Sequence, residues 1–240
     1  MIEEIFERNE IKYIMTNKQY ETLMSEIRPY LVESEYPHSD TTSIYYDTDD
    51  YRLIRAALEH REYREKLRLR GYGKIDSGSL VFMEMKKKYE GVTYKRRQPV
   101  IYEQTTIPED TQINREIGFL FDYYSLKPKV LINYQRDSWD WGNTRITFDR
   151  DVKFETSFDS LKDRAKRRLT DDDMVIMEVK CRWSMPYMLA DILDKMKLYP
   201  GHFSKYGTIY SEYICGEAKS CWNYYRTNKQ LHSLPIHPVL

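Results

Sequence analysis

Arg64, Lys66, Arg68 and Arg70 take every second position of the stretch REYREKLRLRGYG, with Leu67 and Leu69 between the last three. Side chains alternate across a strand, so this spacing puts cations on one face and leucines on the other. A single such face is usually one that water solvates, but here the pattern recurs. VFMEMKKK aligns Glu84, Lys86 and Lys88, and TYKRRQP aligns Lys95 with Arg97. VLINYQR carries Tyr134 and Arg136, TRITFDR carries Arg145, Thr147 and Asp149, and MVIMEVKCR carries Glu178, Lys180 and Arg182. An early segment adds Arg8, Glu10 and Lys12. Guanidinium groups offer planar paired donors and ammonium groups a compact charge, and both suit phosphate oxygens. The few carboxylates, Glu10, Glu84 and Glu178, suit a hard divalent cation, Mn2+ or Mg2+, shared between protein and phosphate oxygens.

The segments that must position these residues read as strands near 6–15, 41–48, 62–72, 79–88, 92–101, 127–137, 143–150 and 174–182, enough to close a barrel with an interior. Helical spacing of apolar residues appears at 17–28, 50–59, 112–124 and 184–197, with a last helix from about 203 to 226. Asn17, Asp50 and Ser184 are the expected N-caps. The 21 residues from Asp151 to Asp171 read as an irregular or helical excursion between two strands. The expected fold class is α+β, an eight-stranded antiparallel tunnel barrel with helices packed outside. One domain would span 1–226, followed by a loosely held tail, 227–240. If helices cover the barrel, the charged faces must point inward. Such an interior is tolerable only if it is wide, wet and normally filled by a polyanion.

Composition narrows the function classes. Hydrophobic residues make up 41% of the 240 and charged residues 32%, as in a soluble globular protein. The 38 basic residues balance 38 acidic ones, which argues against a general nucleic-acid binder while allowing the signs to be sorted onto different surfaces. No stretch approaches the roughly 18 apolar residues of a membrane span, and the acidic start MIEEIFERNEIKY does not resemble a signal peptide. Cys181, Cys215 and Cys221 lack metal-site spacing and are odd in number, which fits reduced thiols in the cytoplasm. GYGKID lacks the third glycine of a dinucleotide loop, no phosphate-binding GxxxxGK[ST] loop is present, and His202 belongs to no triad spacing.

The elements NEIKY, KLRLRGYG, MEMKKK, YKRR, YQR, TRITFD, IMEVK and HFSKY, in this order, resemble the catalytic domain of the vacuolar transporter chaperone (VTC) polyphosphate polymerases. Those belong to the triphosphate tunnel metalloenzymes, together with the CYTH proteins. The resemblance spans roughly 5–215. It implies a tunnel barrel open at both ends that moves the γ-phosphate of ATP onto inorganic polyphosphate or pyrophosphate with a divalent metal. By position it implies phosphate-binding catalytic roles for Lys12, Arg68, Arg70, Lys86, Lys95, Arg136, Arg145, Lys180 and Lys205. It makes Glu178 a metal ligand, with Glu10 as the second candidate. Tyr134 matches a tunnel tyrosine. Arg64, Lys88, Arg97 and Arg182 join as substrate-binding candidates through their alternation. Lys66 shares that alternation without being singled out by the resemblance, and is expected at the tunnel mouth.

The wider superfamily opens with ExExK, whereas this chain has RNEIK, with Arg8 in the first acidic position. One metal-binding carboxylate is therefore absent, which suits the polymerase branch better than a two-metal hydrolase. Two other readings stay open: a tripolyphosphatase or nucleoside triphosphatase, with Glu10 as base, and a polyphosphate-binding module without turnover. The sequence also holds none of the membrane spans or the phosphate-sensing domain of the eukaryotic subunits. A stand-alone cytoplasmic form is expected, with no membrane insertion of its own and any export left to a partner protein.

Overall fold

The computed structural model describes residues 9–90, 92–103 and 111–215. In chain order it contains β1 (Asn9–Thr16), α1 (Asn17–Ile27), β2 (Val32–Asp47), α2 (Arg52–Leu58), β3 (Arg64–Tyr72), β4 (Leu80–Tyr89) and β5 (Val92–Ile101). There follow α3 (Gln112–Tyr124), β6 (Lys127–Trp141), β7 (Thr144–Glu155), β8 (Arg167–Arg168), β9 (Met174–Cys181), α4 (Tyr187–Lys195) and α5 (Lys205–Ile209). Eight strands form one antiparallel sheet in the order β1-β9-β7-β6-β2-β3-β4-β5, and the short β8 pairs with β7. No ladder joins the end strands β1 and β5 among the described residues. A side-chain link instead spans that side, with Lys86 Nζ on β4 donating to Glu10 Oε2 on β1 at 2.9 Å.

Alternation sorts the two faces as the residue pattern predicts. On β9, Val175, Met177 and Val179 are buried in one cluster with Tyr13 and Met15 of β1 and Ile146 and Phe148 of β7. Leu23 and Ile27 of α1 and Leu189 and Leu193 of α4 cover that cluster. Leu67 of β3 and Met85 of β4 pack against Ile117 and Leu120 of α3. These three helices lie on the outer face, and the intervening charged positions face inward.

Several expectations need correction. Thr16, one residue before Asn17, caps α1: its Oγ1 accepts from Gln19 N at 3.2 Å while Gln19 Oε1 accepts from Thr16 N at 2.9 Å. At α2 the capping falls to Thr48 Oγ1, which accepts from Arg52 N, and to the buried Asp47, which accepts from Leu53 N and Ile54 N at 2.8 and 3.0 Å. Asp50 only supports Thr48. Pro186, and not Ser184, precedes α4. Strand β2 starts at Val32, because VESEYPHSD extends the pairing with β6 through an irregular register that alternation does not reveal. Strand β7 runs on to Glu155, so strand occupies part of the expected excursion.

The main correction concerns α5. Helices were expected outside the barrel, but α5 lies on the inner face. Tyr206 and Ile209 pack with Val130, Ile132, Phe154 and Ile176, filling that end of the face with apolar side chains where a through tunnel was expected. The same Asp47 that starts α2 accepts from Tyr206 Oη at 3.0 Å, so one buried carboxylate fixes both helices to the end of β2. A π-helical turn, Tyr210–Ile214, follows α5. The rest of the expected last helix, the 226/227 boundary, Arg8 and Cys221 lie outside the described residues.

Candidate functional site

On the β3-β4-β5 wall, five inward residues form one cluster. Arg68 Nε and Nη2 donate to Glu84 Oε2 at 2.7 and 2.5 Å. Arg70 Nη1 lies 3.6 Å from the same carboxylate, Arg97 Nε 3.6 Å and Lys95 Nζ 3.8 Å. Arg68 faces Glu84 directly in the ladder, which is why the contact is short. Burial alone would raise the Glu84 carboxyl, but Arg68, Arg70 and Lys95 hold it well below the usual carboxylate range. Arg68 also donates to Tyr45 Oη at 3.0 Å, and Arg70 to Ser43 Oγ at 3.2 Å and Tyr134 Oη at 3.0 Å. Burial pushes the Tyr45 phenol up, yet Arg68, Arg70 and Lys66 bring it down to about 7.

On the β6-β7-β9 wall the centre is Asp149. Arg136 donates from Nε at 2.6 Å and Nη2 at 2.8 Å, and Lys205 from Nζ at 2.5 Å. Burial opposes ionisation here too, but Lys205 and Arg136 hold Asp149 well below its ordinary value. Each wall therefore carries a buried anion that offsets part of the charge of its own cations. This explains how so cationic a face survives without ligand: paired charges replace the hydration that burial removes.

Glu178 differs from both. It accepts no hydrogen bond among the described residues, and its nearest cations are Lys180 Nζ at 3.5 Å and Arg136 Nη2 at 4.0 Å. Burial would raise it, but Lys180, Lys12 and Arg136 hold it at about 2, so it stays ionised. Across the ladder stands Thr147, whose buried Oγ1 has no hydrogen-bond partner among the described residues. No cluster of three or more His, Cys, Asp or Glu suited to a metal occurs among the described residues. An ionised, loosely held carboxylate beside a free hydroxyl fits a hard cation that takes its remaining ligands from water and phosphate. Glu10 lies within the field of Glu178 but is already paired with Lys86. Glu84, expected among the metal-suited carboxylates, is occupied by its arginines and lysine.

The structure thus brings Lys12, Arg68, Arg70, Lys86, Lys95, Arg97, Tyr134, Arg136, Lys180, Lys205, Glu10 and Glu178 to one inward face. Arg145 shares that face by alternation but sits exposed at its rim, bonded to Asp140 at 3.0 and 3.3 Å. Arg64 and Lys88 face each other at the opposite end, where Arg64 Nη1 meets His60 Nδ1 at 3.2 Å. Arg182 lies beyond the end of β9, exposed, with its guanidinium over the Trp183 ring, and does not join the cluster. Lys66 is not at the mouth: it turns inward, donating to Ser204 Oγ at 3.3 Å. Sequence reasoning placed Asp149 on the charged face without a role and missed Ser43 and Tyr45, because β2 contributes no cation. The polar alternation Thr41, Ser43, Tyr45 was the available signal.

One solved structure with a TM-score above 0.5 shares the fold, and two further ones are similar to this chain. A protein from Bacillus halodurans described as a candidate adenylate cyclase superposes with a TM-score of 0.52 at 12% identity, over 81% of this chain and 92% of that one. A similarly described protein from Vibrio parahaemolyticus has a TM-score of 0.48 at 14% identity, over 85% and 97%. An adenylyl cyclase candidate from Hippeastrum, described as having a dominant triphosphatase activity, has a TM-score of 0.47 at 16% identity, over 84% and 94%. No curated protein sequence matches this chain. The VTC domain pattern matches residues 7–213, nearly all of the described chain, and every motif that carried the resemblance lies inside it. This chain therefore belongs to the VTC domain family.

Proposed function

We propose that this chain transfers the γ-phosphate of ATP onto a growing inorganic polyphosphate chain on its inward cationic face, with a divalent metal as cofactor. The observation that carries the reading is the contrast among three inward carboxylates. Glu84 and Asp149 are locked in short ion pairs, while Glu178 is ionised and loosely held. A face built only to hold a polyanion has no need of a carboxylate left with only long ion pairs, to Lys180 at 3.5 Å and Arg136 at 4.0 Å, among its cations.

Phosphoryl transfer needs an in-line nucleophile and leaving group, with the charge on the equatorial oxygens stabilised. Arg68, Arg70, Lys86, Lys95, Arg136, Lys180 and Lys205 supply fixed cations from both walls. The terminal oxygen of the accepting phosphate is already ionised, so no protein base is needed. Glu178, with Glu10 beside it, would hold Mn2+ or Mg2+, which when bound neutralises charge on the transferring phosphate. The carboxylates and cations of the chain orient the oxygens around that point.

Hydrolysis of a triphosphate is the competing reading, and it needs a base to activate water. Glu10 is poorly suited: burial and Glu178 would raise its pKa, but Lys86 and Lys180 together bring it below its ordinary value, and Lys86 occupies one of its oxygens. The experiment is incubation of the purified protein with ATP and Mn2+ or Mg2+, followed by electrophoresis with a polyphosphate stain. Chains of polyphosphate support the proposal. Free phosphate without chains would replace it with hydrolysis, and no turnover would leave a polyphosphate-binding module.

A further inference from the structure

The cations of the inward face are unequally neutralised. Arg68, Arg70, Lys95 and Arg97 share Glu84, Lys86 has Glu10, and Arg136 and Lys205 have Asp149. Lys12 and Lys66 have no carboxylate within ion-pair distance among the described residues. They come from strands on opposite sides of the face and converge on consecutive residues. Lys12 Nζ donates to the carbonyl of Phe203 at 2.8 Å, and Lys66 Nζ to Ser204 Oγ at 3.3 Å. Lys66 also stands opposite another lysine, Lys86, in the β3-β4 ladder. Two inward ammonium groups without a counter-charge are costly unless an anion completes them.

We propose that Lys66, together with Lys12 and the Tyr45 hydroxyl, forms a further phosphate subsite at the inner end of the face, taking the terminal phosphate of an inorganic polyphosphate chain. The proposal rests on the phosphate reading above and adds a residue that the family resemblance does not assign. The groups facing Lys66 are Tyr45 from β2, Arg68 from β3, Lys86 from β4, Lys12 from β1, and Ser204 at the start of α5. Burial lowers the Lys66 ammonium to about 8, with Lys12, Lys86 and Arg68 acting in the same direction and Tyr45 against it. It is therefore mostly charged at neutral pH and loses its proton as pH rises past 8. A bound phosphate, which interacts only with the charged form, weakens over that interval. Tyr45 ionises over a neighbouring range and would repel phosphate, so the test is run in parallel in a Tyr45→Phe background.

Tripolyphosphate affinity is measured by titration calorimetry at pH 7 and pH 9 for the wild type, Lys66→Met and Lys66→Arg. A charge-assisted contact corresponds to about tenfold or more in affinity, so Lys66→Met should bind at least about tenfold more weakly at pH 7. Lys66→Arg should retain binding and show a smaller fall between pH 7 and pH 9 than the wild type, because its guanidinium stays charged. The difference between wild type and Lys66→Arg should persist with Phe at position 45. Lysine serving only to hold α5 would lower the melting temperature in Lys66→Met with tripolyphosphate affinity unchanged, and that result overturns the proposal. So does a Lys66→Arg profile identical to wild type. A wild type that binds no tripolyphosphate at either pH overturns the phosphate reading itself, and this subsite with it.

Discussion

Arg136 and Asp149 face each other directly across the β6-β7 ladder and form a bidentate pair, Nε to Oδ1 at 2.6 Å and Nη2 to Oδ2 at 2.8 Å. Lys205 from α5 adds a third donor, so one buried carboxylate joins two strands and the helix that crosses the inner face. Removing it leaves Lys205 without a carboxylate partner among the described residues and Arg136 with only Glu178 at 4.0 Å. Breaking a buried pair on one side costs about 3–5 kcal/mol, and Asp149→Asn should lose that much in urea unfolding. Tripolyphosphate should recover more stability in this variant than in wild type. A loss below about 1 kcal/mol would show that solvent already screens the pair.

Acid should act through the same groups. Glu84 and Asp149 are both held below their ordinary values of 4.5 and 3.8. A carboxylate with a lowered folded-state pKa contributes stability that is fully present above its unfolded value and is lost as pH falls toward its folded one. Stability should therefore begin to drop near pH 4.5 and keep falling below pH 3. The drop should shrink in Glu84→Gln, whose side chain no longer titrates. Superimposable acid unfolding curves for the two proteins would contradict this assignment.

Arg68 and Leu67 are adjacent but should fail differently. Leu67 is fully buried against α3, and Leu67→Ala should cost about 2–5 kcal/mol through lost packing. Were the interior cationic alone, Arg68→Ala would leave stability unchanged or improved, because like charges repel. The short Arg68–Glu84 pair changes that expectation: the single variant should destabilise. The double variant Arg68→Ala/Glu84→Gln should be more stable than the sum of the two singles, since the shared short contact is lost only once. Additive losses in a double-mutant cycle would mean that the pair is not coupled.

Glu178→Gln keeps the side chain's size and removes the charge proposed above to hold a metal. Turnover of ATP should disappear while tripolyphosphate binding is retained or tightens, because a carboxylate near the phosphates is gone. Parallel loss of binding and turnover would instead assign Glu178 to holding the fold through Lys180.

The strand faces were legible because period-two alternation survives folding unchanged: Arg68, Lys86, Arg136 and Glu178 all face inward as their spacing required. The counter-charges were only half legible. Asp149 was visible on its face, but nothing in TRITFDR says that Arg136 and Lys205, far apart in the chain, converge on it. Helix α5 was misplaced to the outside because its apolar residues fit either face. Its position is set by Asp47 and Asp149, contacts of long sequence separation that no local pattern encodes.

Whether the inward cations form a phosphate site is tested most directly by the melting temperature with and without tripolyphosphate for wild type and Arg70→Ala. Among the described residues Arg70 hydrogen-bonds the Ser43 and Tyr134 hydroxyls and stands 3.6 Å from Glu84, farther than Arg68 at 2.5 Å, so its loss perturbs that ion pair less than the loss of Arg68. Ligand at about 100 times its Kd stabilises by about 2.7 kcal/mol, a rise of about 5–10 °C for a chain of this size. The account predicts that rise for wild type and a much smaller one for Arg70→Ala at the same ligand concentration. An unchanged ligand shift in Arg70→Ala, with a sharply lower melting point without ligand, would show that this arginine holds the fold together and does not bind phosphate.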